Sequence, residues 1–168
     1  MIKSNTSLQQ NFILRGKRMD IVNRLKDKNI KVREIPGWGS YLRNRWEEVF
    51  VGHLNQQEKE EIHLSYSDGA CGYLWHVFSY EERDCLEKGQ ANQAFNNVSK
   101  GKCYVFYQHS DYAFIMENTE LALASDFLEK DDCDEEDIYI VDRDFTWTYV
   151  NTHEESCGPY YGEIVGID

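Results

Sequence analysis

A chain of 168 residues, 41% apolar and 14% aromatic, is long enough and apolar enough for one packed domain that buries roughly 70% of its unfolded surface. That excludes a disordered chain and a scaffold held only by disulfide staples. The net charge of −12 is uneven: residues 1–110 carry 16 Lys and Arg against 13 Asp and Glu, net +3, while residues 111–168 carry 2 against 17, net −15.

Residues 1–17 show no sustained period and are expected to fray, leaving 18–168 as a single domain. From Arg18, Met19, Val22 and Leu25 recur at helical spacing beside Ile21, with Asn29 as a stop. Ile30–Ile35 alternates as a short strand closed by Pro36-Gly37. Trp38, Leu42, Trp46, Val49 and Phe50 step by three or four, so 40–51 is predicted as an amphipathic helix turning two indoles toward a core. Asn55 with Glu58 forms a capping box for a shorter helix ending near Leu64, and 65–72 reads as a loop.

Tyr73–Phe78 (YLWHVF) reads as a buried strand, and Ser79-x-x-Glu82 as a capping box opening a helix toward Lys88. Gly89 interrupts that helix, and Ala91, Ala94, Phe95 and Val98 resume the stripe. Cys103–Gln108 and Tyr112–Glu117 are two strands whose short connection makes a hairpin. Glu120–Leu128 fits a helix, with a strand through Leu121 and Leu123 as the alternative. An acidic connector, 129–137, leads to a strand over Ile138–Val141. A longer strand follows, in which Phe145, Trp147, Tyr149, Asn151 and His153 share one parity. Gly158-Pro159 turns the chain, and Tyr161–Ile167 supplies a last edge strand. Helices early, strands late and no repeat predict an α+β fold, its helices mainly in the N-terminal half and packed on a mainly antiparallel sheet from the C-terminal half.

Cys71, Cys85, Cys103, Cys133 and Cys157 form an odd set without paired C-x-x-C spacing. In the first seventeen residues only Phe12–Leu14 is continuously apolar, too short for a signal-peptide core or a membrane span. The expectation is a cytoplasmic protein with reduced thiols.

His153, Glu154 and Cys157 place a base, a carboxylate and a nucleophile within five residues. An extended backbone points His153 and Glu154 to opposite faces, so only a bend brings them to one site. The bland alternative is a histidine that hydrogen-bonds the turn. His153, Glu154, Glu155 and Cys157 are legitimate metal-ligand types, yet neither H-E-x-x-H nor paired cysteines are present, and no metal is assigned. His76 reads as a satisfied core histidine. Asp132, Asp134 and Glu136 alternate like calcium ligands, but an EF-hand needs Gly sixth and Glu twelfth, where Asp137 and Arg143 stand. Weak divalent-cation binding by this connector stays open. No phosphate-binding loop, dinucleotide fingerprint or nucleophile elbow is present, and no cofactor is expected.

The blocks LWHVFSY (74–80), DIYIVDRDFTWTYVNTHE (137–154) and GPYY (158–161) carry a likeness. On them, residues 32–162 resemble a family of small uncharacterised cytosolic proteins of Gram-positive bacteria, a domain of unknown function of about this length. The resemblance implies no activity, cofactor or catalytic residue. WTYVNTHE followed by GPYY also resembles, more loosely, elements of small immunity proteins that neutralise toxins.

The acid block repels phosphate backbones and anionic headgroups, so nucleic acid and membrane are not expected as partners, whereas a basic protein is attracted. The leading expectation is therefore a non-enzymatic acidic binding protein, immunity-type, for a basic protein partner. Its candidate contacts are Trp147, Tyr149, His153, Glu154, Tyr160, Asp132, Asp134 and Glu136. The alternative is a hydrolase or metal-dependent enzyme using His153, Glu154 and Cys157.

Overall fold

β-branched and aromatic residues run almost without interruption through 103–107, 138–142 and 147–151, a composition suited to strands buried on both faces. The computed structural model describes residues 3–66, 72–128 and 136–165. Its elements in chain order are α1 (Lys3–Asp27), β1 (Lys31–Glu34), α2 (Gly39–Phe50), α3 (Gln56–Glu61), α4 (His76–Ser79), β2 (Leu86–Glu87) and α5 (Lys88–Asn97). They continue with β3 (Cys103–Tyr107), β4 (Ser110–Glu117), β5 (Ile138–Asp142), β6 (Trp147–Asn151) and β7 (Tyr160–Glu163). The seven strands form one sheet in the order β1-β4-β3-β5-β6-β7-β2, every pair antiparallel. The fold is α+β.

Side-chain alternation divides the core in two. Val105, Tyr107, Ile138, Ile140, Trp147 and Tyr149 point to the face covered by Ile21, Val22 and Leu25 of α1 and by Ala91 and Phe95 of α5. Phe106, Tyr139, Val141 and Val150 point the other way, onto Leu42, Trp46 and Phe50 of α2 and Val77 and Phe78 of α4. Helices on both faces explain why the central strands β3, β5 and β6 show no clean polar side. Trp46 illustrates the packing: its ring is fully buried, edge-on to Tyr139 and Phe78, and Nε1–H donates to Thr148 Oγ1 at 2.9 Å.

Several expectations change. Residues 3–17, expected to fray, are helical; Leu8 and Phe12 on that stretch are exposed, so it carries no apolar stripe for a sequence period to reveal. YLWHVF is not a strand. The amides of Leu74 and Trp75 donate to the side chains of Gln108 and Tyr139 instead of a ladder, and a single helical turn follows. A short apolar run bounded by polar residues fits either state, and tertiary partners decide.

Ser79 ends that turn rather than capping a new helix; its hydroxyl donates to the His76 carbonyl, and Glu81 takes a left-handed φ of 60°. Gly89 does not interrupt a helix but lies in the first turn of α5. Residues 120–128 form no strand and no continuous α-helix but fall into two short 3-10 helices, Thr119–Leu121 and Ala124–Phe127.

Of the two indoles of the second helix only Trp46 is in the core, while Trp38 is 46% exposed. The strand expected over 145–153 starts at Trp147. Asp142 accepts the amides of Thr146 and Trp147 and holds Phe145 at φ 58° in a turn. β7 is an interior strand, because the two residues of β2 pair outside it.

Candidate functional site

Three neighbouring strands end at one rim. Tyr107, the last residue of β3, pairs with Ile138, the first of β5, and Ile138 pairs with Asn151, the last of β6. The residues just beyond these ends, Gln108, Asp137 and His153, are therefore brought together. Gln108 extends the ladder by one bond, its N–H donating to the Asp137 carbonyl at 3.2 Å. Residues opposite one another in antiparallel strands carry side chains about 5 Å apart on one face.

Asp137 is 4% exposed. Its Oδ1 accepts the His153 backbone N–H at 2.8 Å and meets His153 Nδ1 at 2.9 Å. A carboxylate only accepts, so Nδ1 carries the hydrogen and Nε2 faces outward, 3.7 Å from Glu154 Oε1. Oδ2 of Asp137 has no partner among the described residues.

Gln108 is equally buried. Its Oε1 accepts the Leu74 N–H at 3.0 Å and the Tyr139 hydroxyl. A backbone amide can only donate, which fixes the Gln108 carboxamide with its oxygen inward. The NH2 is left on the other side with no partner among the described residues. Tyr139 holds the arrangement: burial, with the Asp137 charge adding, pushes its hydroxyl well above the usual range, so it remains a donor.

Both unpaired groups line a pocket of about 330 Å³. α1 forms its opposite wall through Gln10, Leu14 and Arg18, which recur every four residues on one helix face. The Arg18 guanidinium is occupied by Glu136, with bonds of 2.9 and 2.5 Å to its two oxygens, and lies over the rings of Tyr107 and Tyr112 at 5.0 and 5.4 Å. Tyr73 completes the lining, its ring centroid 5.1 Å from His153 and 5.5 Å from His109. His76, behind Tyr73, is a satisfied histidine whose Nδ1 meets the Ile62 carbonyl at 2.8 Å, and burial lowers its pKa.

The sequence candidates fare unevenly. His153 and Glu154 do come together, because the chain bends after Thr152. Cys157 Sγ contacts Glu154 Oε2 at 3.5 Å, but no hydrogen bond joins the thiol to the imidazole, so the carboxylate stands between base and nucleophile. Trp147, Tyr149 and Tyr160 are core residues and present no surface to a partner. Glu136 is taken up by Arg18, and Asp132 and Asp134 lie outside the described residues.

Four of the eleven described carboxylates of the acid block, Glu136 among them, meet Lys or Arg of the first 110 residues. Asp111 pairs with Arg43 at 3.3 Å, Glu117 with Lys31 at 3.0 Å, and Asp126 with Lys28 at 2.6 Å. The Lys31 bond holds the Glu117 carboxyl below its ordinary range. Asp142 is spent on its turn, and Glu120 accepts the Lys100 amide. The cations come from the first 110 residues, so at these positions folding brings together opposite charges that lie far apart along the chain.

Sequence reasoning missed Asp137, Gln108, Tyr73 and Arg18. Asp137 was hidden as one more acid at the end of an acidic run, and Gln108 looked like the last residue of a strand. The one available signal was a polar residue directly abutting an apolar strand on each of two segments. No group of three His, Cys, Asp or Glu among the described residues is placed to hold a metal ion, and none of their helices is long and apolar enough to cross a membrane.

A family model described as a domain of unknown function, DUF4275, matches residues 19–161. The match takes in Tyr73, Gln108, Asp137 and His153 and leaves out the stretch of α1 that walls the pocket. No curated protein and no solved structure matches the chain.

Proposed function

The chain belongs to this family, DUF4275, whose function is unknown, and we propose that it binds a small polar molecule in the pocket at the ends of β3, β5 and β6. One observation carries the reading: two side chains that are each 4% exposed, Gln108 and Asp137, line the same 330 Å³ space, and each keeps one group, a donor and an acceptor, without a partner among the described residues. Neither atom is fully enclosed, so each opens to the solvent of the pocket and is available to a ligand there. A ligand that answers both takes the place of that solvent, while Tyr73 and the two imidazoles supply ring surface.

Docking of a basic protein partner on the acid block, the immunity-type role, loses four of the block's eleven described carboxylates to Lys and Arg of the same chain. A hydrolase built on His153, Glu154 and Cys157 lacks the contact between imidazole and sulfur that nucleophile activation needs.

The test is protein-observed NMR with a panel of nucleosides, amino acids, monosaccharides and carboxamides at millimolar concentration. At least one class is expected to move the amides of Gln108, His109, Asp137 and His153. A panel that moves none of them, or moves only residues elsewhere, refutes the proposal.

A further inference from the structure

Resting on that reading of the pocket, we infer that its ligand is uncharged and carries a planar edge with an N–H donor beside a carbonyl acceptor, as carboxamides, lactams and ureides do. Neither protein group is free to reverse its role. The Gln108 oxygen is tied to the Leu74 amide, which only donates, so its NH2 is a fixed donor. Asp137 Oδ1 takes both hydrogens offered by His153, so Oδ2 is a fixed acceptor. The two side chains spring from directly opposite positions of neighbouring strands, about 5 Å apart, so one small group meets both.

Charge narrows the class. The pocket's fixed charges are Arg18, Glu136 and Asp137, and Arg18 is already gripped by Glu136 through two bonds. No uncommitted cation is left among these for a phosphate or carboxylate, and an anion that satisfies the Gln108 NH2 meets the open oxygen of Asp137. An ammonium has the reverse fault: it satisfies Asp137 and faces the Gln108 donor with a positive charge. Only a group that both gives and takes a hydrogen bond satisfies the pair. A hydroxyl can do so by rotating, but an amide holds donor and acceptor rigidly in one plane, which suits two groups fixed on adjacent strands with the Tyr73 ring beside them.

Benzamide, benzoate and benzylamine share a ring and differ only at that edge, so they separate the possibilities, with glucose as the polyol arm. Titrated into the full chain labelled with ¹⁵N, benzamide is expected to move the Gln108 side-chain NH2 resonance and the His153 amide. Benzoate and benzylamine are expected to bind there at least 10-fold more weakly. In Asp137→Asn, which removes the charge and keeps an acceptor oxygen for His153, the gap between benzoate and benzamide is expected to narrow at least threefold. Tighter binding of benzoate, benzylamine or glucose than of benzamide overturns the ligand class and leaves the pocket reading in place. Silence at these resonances with every probe and across the wider panel overturns both.

Discussion

Replacing Gln108 by Glu keeps the length of the side chain and the inner oxygen that serves Leu74 and Tyr139, but turns the pocket-facing NH2 into a second oxygen beside Asp137. Two carboxylates about 5 Å apart repel by about 3 kcal/mol at an effective dielectric near 20. Withdrawing the new charge from water adds about 2 kcal/mol or more. Against this, the two inner hydrogen bonds favour the ionised form by about 1 kcal/mol each. The balance is about 3 kcal/mol against ionisation, which places the new carboxyl about 2 pKa units above the ordinary value near 4.3.

A carboxyl raised in the folded state holds its proton more tightly there than in the unfolded chain. The variant therefore matches wild type below about pH 4, loses stability as pH rises through about 6, and levels off about 3 kcal/mol lower. For a chain of this size that is a fall in Tm of roughly 6–12 °C at pH 8. Urea and thermal melts of both proteins between pH 4.5 and 8.5 measure the difference directly. A difference that is flat over this range, or grows toward low pH, refutes the placement of residue 108 beside Asp137 and with it the donor–acceptor pair.

Thr148→Val removes the hydroxyl that accepts Trp46 Nε1–H and donates to the Ile140 carbonyl. A loss of about 1–3 kcal/mol is expected in urea melts, and a smaller one in a Trp46→Phe background, because the orphaned donor is then gone. Gly39→Ala is expected to cost about 1–3 kcal/mol by the same measurement, since a Cβ there sits 2.6 Å from the Asp111 Cα and against the Ser110 carbonyl, both rigid backbone. Burial raises the Cys85 thiol to about 11 and the Cys103 thiol to about 12, so iodoacetamide at pH 8 should leave both intact in the folded protein, with Cys85 labelled only as pH approaches 11. Labelling of Cys103 at the rate of a free thiol would show that its strand opens.

What could be read along the chain follows one physical rule. Where a local signal and the tertiary partner agree, the element was legible: Asn55 and Glu58 close their capping box, and the apolar runs at 103–107 and 138–142 are strands because every parity finds a helix to cover it. Where the partner is distant in sequence, the local signal misled. YLWHVF has strand composition, but its amides are claimed by Gln108 and Tyr139; Ser79 has a partner for a capping box and does not use it.

The sequence alone determined the fold class, most strand positions and the fact that positive and negative charge lie at opposite ends of the chain. Only folding decided where those charges meet and what lines the pocket. Gln108 and Asp137 are ordinary polar residues until antiparallel pairing of β3 with β5 sets them side by side, and His153 joins them only because β6 ends at the same rim. Register is a property of pairs of strands, and no single segment of sequence carries it.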